Sequence, residues 1–194
     1  MTRRRWICDR ALLPDLSLLR GFLNQSLTIP GHDGWMTEHP RLGLTGATYF
    51  FTVRLERQGS TLLTDHIAGL RFAYAKAVQE FPVTCHAMVV LPDHIHAVWT
   101  EPAGDVWYAE RWRRIKTRFA QSLAMADARP AVLWQKRFAE HAVRSAEDLR
   151  RAVDYCRMNP VRHGLVAAAE LWPYSSCNKP LPRPALVGQT AVLV

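Results

Sequence analysis

His94 and His96 are two residues apart in the run Leu91-Pro92-Asp93-His94-Ile95-His96, directly after the apolar stretch Cys85 to Val90. Side chains of a β-strand alternate between faces, so the two imidazoles project the same way and can present nitrogens to one ion. The same spacing also arises on solvated strands, and the pair by itself is half a metal site. The other half comes from a later segment, where Tyr155 and Asn159 are four residues apart. Leu149, Ala152, Val153 and Cys156 form the apolar stripe of a helix there, and at 100° per residue Tyr155 lies about 120° from its centre. The phenol is therefore not placed as a core aromatic, and the Asn159 carboxamide shares its flank one turn on. Tyrosine is an uncommon nucleophile because its unperturbed pKa is about 10, but its phosphate ester conserves the energy of the broken bond. Beside a metal ion that polarises a phosphodiester it can cleave DNA and later be displaced. Taken singly, it also reads as an exposed tyrosine hydrogen-bonded to water.

These residues need a scaffold, and 194 residues at 48% hydrophobic content suffice for one domain with a substantial core. Lys and Arg number 25 against 17 Asp and Glu, a net charge of +8 with a pI near 9.8. Arginine dominates that count, and its fork matches phosphate and stacks on bases, which favours nucleic acid over an acidic small molecule. A merely soluble basic protein carries the same balance. Cys8, Cys85, Cys156 and Cys177 form no CxxC pair, so neither a zinc ribbon nor a disulfide framework is expected, and a reducing, cytoplasmic setting is. Asp9, Arg10, Pro14 and Asp15 break the apolar core a signal peptide needs, and no run is long enough to span a membrane.

Residues 1–40 show no clear period and are taken as an N-terminal extension. Ala47 to Val53 is β-branched and aromatic, which predicts a strand. Leu63, Ile67, Leu70, Tyr74, Ala77, Val78 and Phe81 have the spacing of an amphipathic helix. Residues 84–90 and 94–100 read as antiparallel strands joined by Leu91-Pro92-Asp93. A second helix is expected from about Trp107 to Ala124, with Tyr108, Trp112, Ile115, Phe119 and Leu123 on its apolar stripe. Arg111, Arg114 and Arg118 line its other flank, as a solvated face or as a rail that tracks phosphates. Val132 to Val143 looks strand-like with poor alternation. Ser145 is a suitable cap for a last helix with Glu147 and Asp148 in its first turn, expected to run to about Met158 and to end at Pro160. The order predicts an α+β fold of the ferredoxin-like kind, an antiparallel sheet with helices on one face. Residues 177–194, with Pro180, Pro182 and Pro184, read as a C-terminal tail.

Taken together, LPDHIH at 91–96, the Arg111 to Lys116 segment, WQKRFAEH at 134–141, Tyr155 and NPVRHGL at 159–165 resemble the single-tyrosine HUH transposases, and within them the REP-associated tyrosine transposases of bacteria. The likeness covers about residues 41–176, and the pattern departs at Ala139, where the family carries an aromatic. The resemblance implies a ferredoxin-like domain with the histidines on a central strand. It implies that His94, His96 and Asn159 ligate a divalent ion, Mg²⁺ or Mn²⁺, and that Tyr155 is the nucleophile. The implied substrate is single-stranded DNA beside a hairpin from a repetitive extragenic palindrome, cut and rejoined through a 5′-phosphotyrosine by a monomer or a homodimer. Arg111, Arg114, Arg118, Arg150, Arg151, Arg157 and Arg162 are candidates for backbone contacts, with Trp107 and Trp112 as possible stacking partners. Trp112 fits the core better, given its stripe. Two other readings remain at this level: a hairpin-binding regulator that does not cut, and a metal-dependent phosphodiesterase in which water is the nucleophile.

Overall fold

The structure, a computed structural model, describes residues 46–104, 107–126 and 130–177. The expected extension over 1–40 and all but the first residue of the expected tail lie outside these residues. In chain order the elements are β1 (Thr48–Arg54), α1 (Leu62–Asp65), α2 (Ile67–Glu80), β2 (Thr84–Val90), β3 (His94–Thr100), α3 (Tyr108–Met125), β4 (Ala139–Val143) and α4 (Ala146–Arg162), followed by a 3₁₀ turn at Ala169–Leu171. The sheet has the order β2-β3-β1-β4 with every pairing antiparallel. This is the ferredoxin-like arrangement, and β3, flanked on both sides, is buried along nearly its whole length.

Both faces of the sheet are covered, which corrects the expectation of helices on one face. Tyr49, Phe51, Val53, Ile95, Ala97 and Trp99 point to the side where α2 and α3 pack, with Trp112 stacked on Trp99 at 4.4 Å between ring centroids. Phe50, Val89 and Val98 point the other way, against Ala152 and Cys156 of α4. Alternation along β1 and β3 thus divides the core in two. The two helices on the first side approach closely at Gly69, where an added Cβ would come within 2.6 Å of Ser122 Oγ. The long helix expected from Leu63 is interrupted at His66. Of the stretch 132–143 only Ala139–Val143 becomes a strand, because Leu133 and Trp134 leave the sheet after a single bridge between Trp134 and Leu55.

Two further corrections concern α3 and α4. Arg111 does not lie on a solvent flank: its side chain is 0% exposed, bidentate to Glu101 at 2.8 and 2.9 Å, and donates to the carbonyls of Phe81 and Pro82. Ser145 caps α4 as expected, its Oγ accepting from Asp148 N–H at 3.1 Å, but Pro160 does not end the helix. The proline gives up its own N–H bond and crowds the Cys156 carbonyl, but the turn beyond it is still closed by His163 N–H donating to Asn159 O at 3.0 Å. The stop is Gly164, at φ +66°, with Gly164 N–H donating to Val161 O and Leu165 N–H to Pro160 O, both at 2.9 Å, a Schellman closure.

The chain then returns to the free edge of β2. Val90 N–H donates to Tyr174 O at 2.9 Å, Ser176 N–H to Met88 O at 2.8 Å, and Met88 N–H to Ser176 Oγ at 2.7 Å. No described helix is long and apolar enough to cross a membrane.

The Arg111–Glu101 pair has no water to fall back on. Glu101→Ala is expected to lower unfolding stability by about 3–5 kcal/mol, since it leaves a buried guanidinium without its counter-charge. Chemical denaturation of the two proteins measures it.

Candidate active site

β3 positions the histidines. His94 is 3% and His96 1% exposed, on the face shared with α4. Each ring is engaged at Nδ1: His94 Nδ1 meets Asp93 Oδ1 at 2.6 Å, and His96 Nδ1 meets Thr52 Oγ1 at 2.9 Å. Thr52 reaches His96 because the β1–β3 register makes them cross-strand partners. The His94 and His96 rings are 4.9 Å apart, nearly perpendicular, and Phe50 stacks on His96 at 5.3 Å.

α4 brings the remaining expected residues. Tyr155 is half-buried, its ring edge-on to His96 at 5.1 Å and to Phe50 at 5.6 Å. One turn on, Asn159 is 1% exposed and its side chain hydrogen-bonds with His94. His96 Nε2 and Asn159 Oδ1 are both buried without a partner. Buried polar atoms in that state are costly unless something satisfies them. Two imidazole nitrogens and an amide oxygen are a fitting donor set for a divalent ion of the Mn²⁺ type. Among the described residues no group of three or more His, Cys, Asp or Glu could hold a metal. Asn159 Oδ1 would add an amide oxygen to the two imidazoles in such a donor set.

Electrostatics keep the rings neutral, as metal ligands must be. Burial pushes His96 well below the ordinary histidine value, helped by the neighbouring charges of His94 and Arg54. Burial also lowers His94, against the opposing pull of Asp93. Burial alone would raise the Asp93 carboxyl, but His94 and the Gly59 N–H, at 2.7 Å, hold it below its usual range.

Around this centre stand residues that the sequence does not single out. His163, which closes α4, lies 5.1 Å from the His94 ring, and Arg54, at the end of β1, is the cross-strand partner of His94. Asp93 and Thr52 orient the imidazoles. Only the chance that a residue adjoining a ligand is its hydrogen-bond partner could have pointed to Asp93, and Thr52 is visible only once the register is known.

The expected DNA contacts divide. Arg162 is exposed at the end of α4 with its guanidinium 5.0 Å from the Tyr155 ring centroid, and Arg151 is exposed on the same helix, 3.5 Å from Asp148. Arg150 pairs with Glu147, and Arg157 with Asp154 and Glu170. Arg111 is in the core. Arg114 and Arg118 are on the helix that packs on the opposite face of the sheet, held by Glu80 at 2.5 and 2.6 Å, with Glu110 also on Arg114. Trp112 is core, and Trp107 is exposed at the start of α3.

A ferredoxin-like sheet with two histidines on a central strand and a helix tyrosine set against them defines the single-tyrosine HUH transposase class. No family model matches the chain. It is 40% identical over 148 residues to a REP-associated tyrosine transposase of Escherichia coli (strain K12), across 76% of this chain and 87% of that one. A Haemophilus influenzae protein whose name places it provisionally in the same group is 36% identical over 153 residues, across 74% and 87%. A solved REP-associated tyrosine transposase bound to a REP hairpin matches with a TM-score of 0.67 at 42% identity, covering 72% of this chain and 82% of that one. The chain belongs to the REP-associated tyrosine transposases.

The lowered His96 value carries a stability consequence. Below the unfolded-state pKa of about 6.5 the unfolded chain takes up a proton that the folded chain refuses, so metal-free stability falls as pH drops through that value. Melting temperatures in EDTA between pH 8 and 5 are expected to show this decline, and His96→Gln to flatten it.

Proposed function

We propose that this transposase is a metal-dependent single-stranded DNA endonuclease and strand transferase that acts at hairpins of repetitive extragenic palindromes. The observation that carries the reading is the placement of Tyr155 against His96, with His96 Nε2 and Asn159 Oδ1 both buried and unpartnered beside it. The hairpin bound to the solved relative supports the substrate class.

His94 and His96 through Nε2, and Asn159 through Oδ1, would hold Mg²⁺ or Mn²⁺, and this donor set favours Mn²⁺. The ion, when bound, draws charge from the scissile phosphate and so lowers the barrier to attack on it. Asp93 and Thr52, each bound to an Nδ1, would hold the two imidazoles in place for that role. Tyr155 Oη attacks phosphorus in line and gives up its proton. The bond from phosphorus to the 3′-oxygen breaks, and that oxygen takes a proton and leaves as a 3′-hydroxyl. The 5′-phosphate stays esterified to Tyr155 until another 3′-hydroxyl attacks it and rejoins the strand.

A labelled oligonucleotide carrying such a hairpin and a single-stranded flank, incubated with Mn²⁺ and run on a denaturing gel, is expected to show a covalent protein–DNA adduct. Tyr155→Phe removes one oxygen and is expected to bind the oligonucleotide and form no adduct, and EDTA to suppress the adduct in the parent. Cleavage by the phenylalanine variant would overturn the nucleophile, and full activity in excess EDTA would overturn the metal site.

Arg151 and Arg162 on α4 are the proposed backbone contacts. Replacing both by Ala is expected to flatten the dependence of log affinity on log salt by about 0.7 per lost phosphate contact, or about 1.4 in all. The Arg114→Ala, Arg118→Ala double variant is expected to leave the slope unchanged, because Glu80 and Glu110 already engage those charges on the other face of the sheet.

A further inference from the structure

Arg54 is the last residue of β1 and stands opposite His94 in the β1–β3 register. Alternation puts it on the same face as Thr52 and Phe50, the two β1 residues that touch His96. Directly opposed residues of antiparallel strands have Cβ atoms about 4.5–5.5 Å apart, so its side chain departs from beside the His94 ring. It is partly buried, and among the described residues it makes no side-chain hydrogen bond or ion pair. The nearby carboxylate, Asp93, is engaged by His94 Nδ1 and the Gly59 N–H. The Arg54 charge nonetheless acts on Asp93, His94, His96 and His163, so the guanidinium lies within electrostatic reach of the whole site. Arg111, by contrast, is neutralised by Glu101, and Arg114 and Arg118 by Glu80. A partly buried cation beside two imidazoles thus makes no ion pair, because the carboxylate within its reach, Asp93, is already engaged.

We infer that Arg54 binds the scissile phosphodiester, donating charge-assisted hydrogen bonds to a non-bridging oxygen and holding the phosphorus between Tyr155 and the imidazole pair. The inference rests on the phosphotyrosine reading above. A guanidinium there meets negative charge that grows on the phosphoryl oxygens during attack. Were Arg54 instead to act only by orienting Asp93 and His94, its removal would weaken binding whether or not the phosphate is charged.

The test uses that difference. In the Tyr155→Phe background and in EDTA, affinity is measured for a hairpin oligonucleotide with a single-stranded flank. A matched set replaces one flank phosphate at a time by a neutral methylphosphonate. With Arg54 present, neutralising the phosphate that the parent enzyme cuts is expected to cost about ten- to a hundredfold in affinity. Arg54→Gln is expected to weaken the all-phosphate oligonucleotide by a similar factor and to abolish the methylphosphonate penalty at that position alone. Arg54→Lys, which keeps the charge and loses the fork, is expected to retain part of the penalty, and it carries the comparison if Arg54→Gln does not fold. A penalty of the same size with and without Arg54 overturns the assignment. Adduct formation by the parent on the same oligonucleotide separates the two ideas: an adduct with an unchanged penalty leaves the phosphotyrosine reading standing and removes Arg54 from it. No binding and no adduct removes both.

Discussion

The structure depends on burying two neutral imidazoles in the middle of a sheet. A ring on a central strand has no water to complete its hydrogen bonding, so one nitrogen of each must be satisfied by the protein. Asp93 does this for His94 and Thr52 for His96. The consequence is two imidazoles held side by side, 4.9 Å apart, with Phe50 stacked on His96 and Tyr155 edge-on to it. Burial opposes protonation, and the same burial leaves His96 Nε2 and Asn159 Oδ1 without partners. The centre is electrostatically unfinished, and the proposed ion and the expected acid sensitivity both rest on that.

The two faces of the sheet are put to different uses. On the α2–α3 side, charge serves structure: Arg111 is locked to Glu101, and Glu80 ties α3 to the end of α2 through Arg114 and Arg118. On the α4 side, Arg162 and Arg54 stand next to Tyr155 and the histidines. A net positive charge therefore says less about a binding surface than does the location of those arginines that lack acidic partners.

The site was legible wherever its geometry is local. A period of two set His94 and His96 on one face, and a helical turn set Tyr155 and Asn159 on one flank, because neither inference needs a tertiary contact. The elements up to β3 were readable for the same reason. What escaped depends on pairings distant in sequence. Thr52 and Arg54 belong to the site only through the register of β1 on β3, and the burial of Arg111 depends on Glu101 at the end of a strand. An i, i+3, i+7 row of arginines looks identical from sequence whether it meets water or an acid. That α4 covers the opposite face from α2 and α3 is likewise not written in the order of elements. Pro160 misled because the His163 N–H bond to Asn159 O carries the helix past it, whereas Gly164, five residues beyond Asn159, supplies the real stop.

The return of residues 174–176 to the edge of β2 also constrains how the chain can be made. Synthesis is vectorial, and the hairpin of β2 and β3 leaves the ribosome long before the segment that covers its outer border. Until residue 176 has emerged, the backbone groups of Met88 and Val90 face outward on an exposed apolar strand, an open template for pairing with another nascent chain. The other border of the sheet is also completed late, by β4. Folding of this domain is therefore completed late, when the short stretch from Trp172 to Ser176 reaches the β2 edge and closes it.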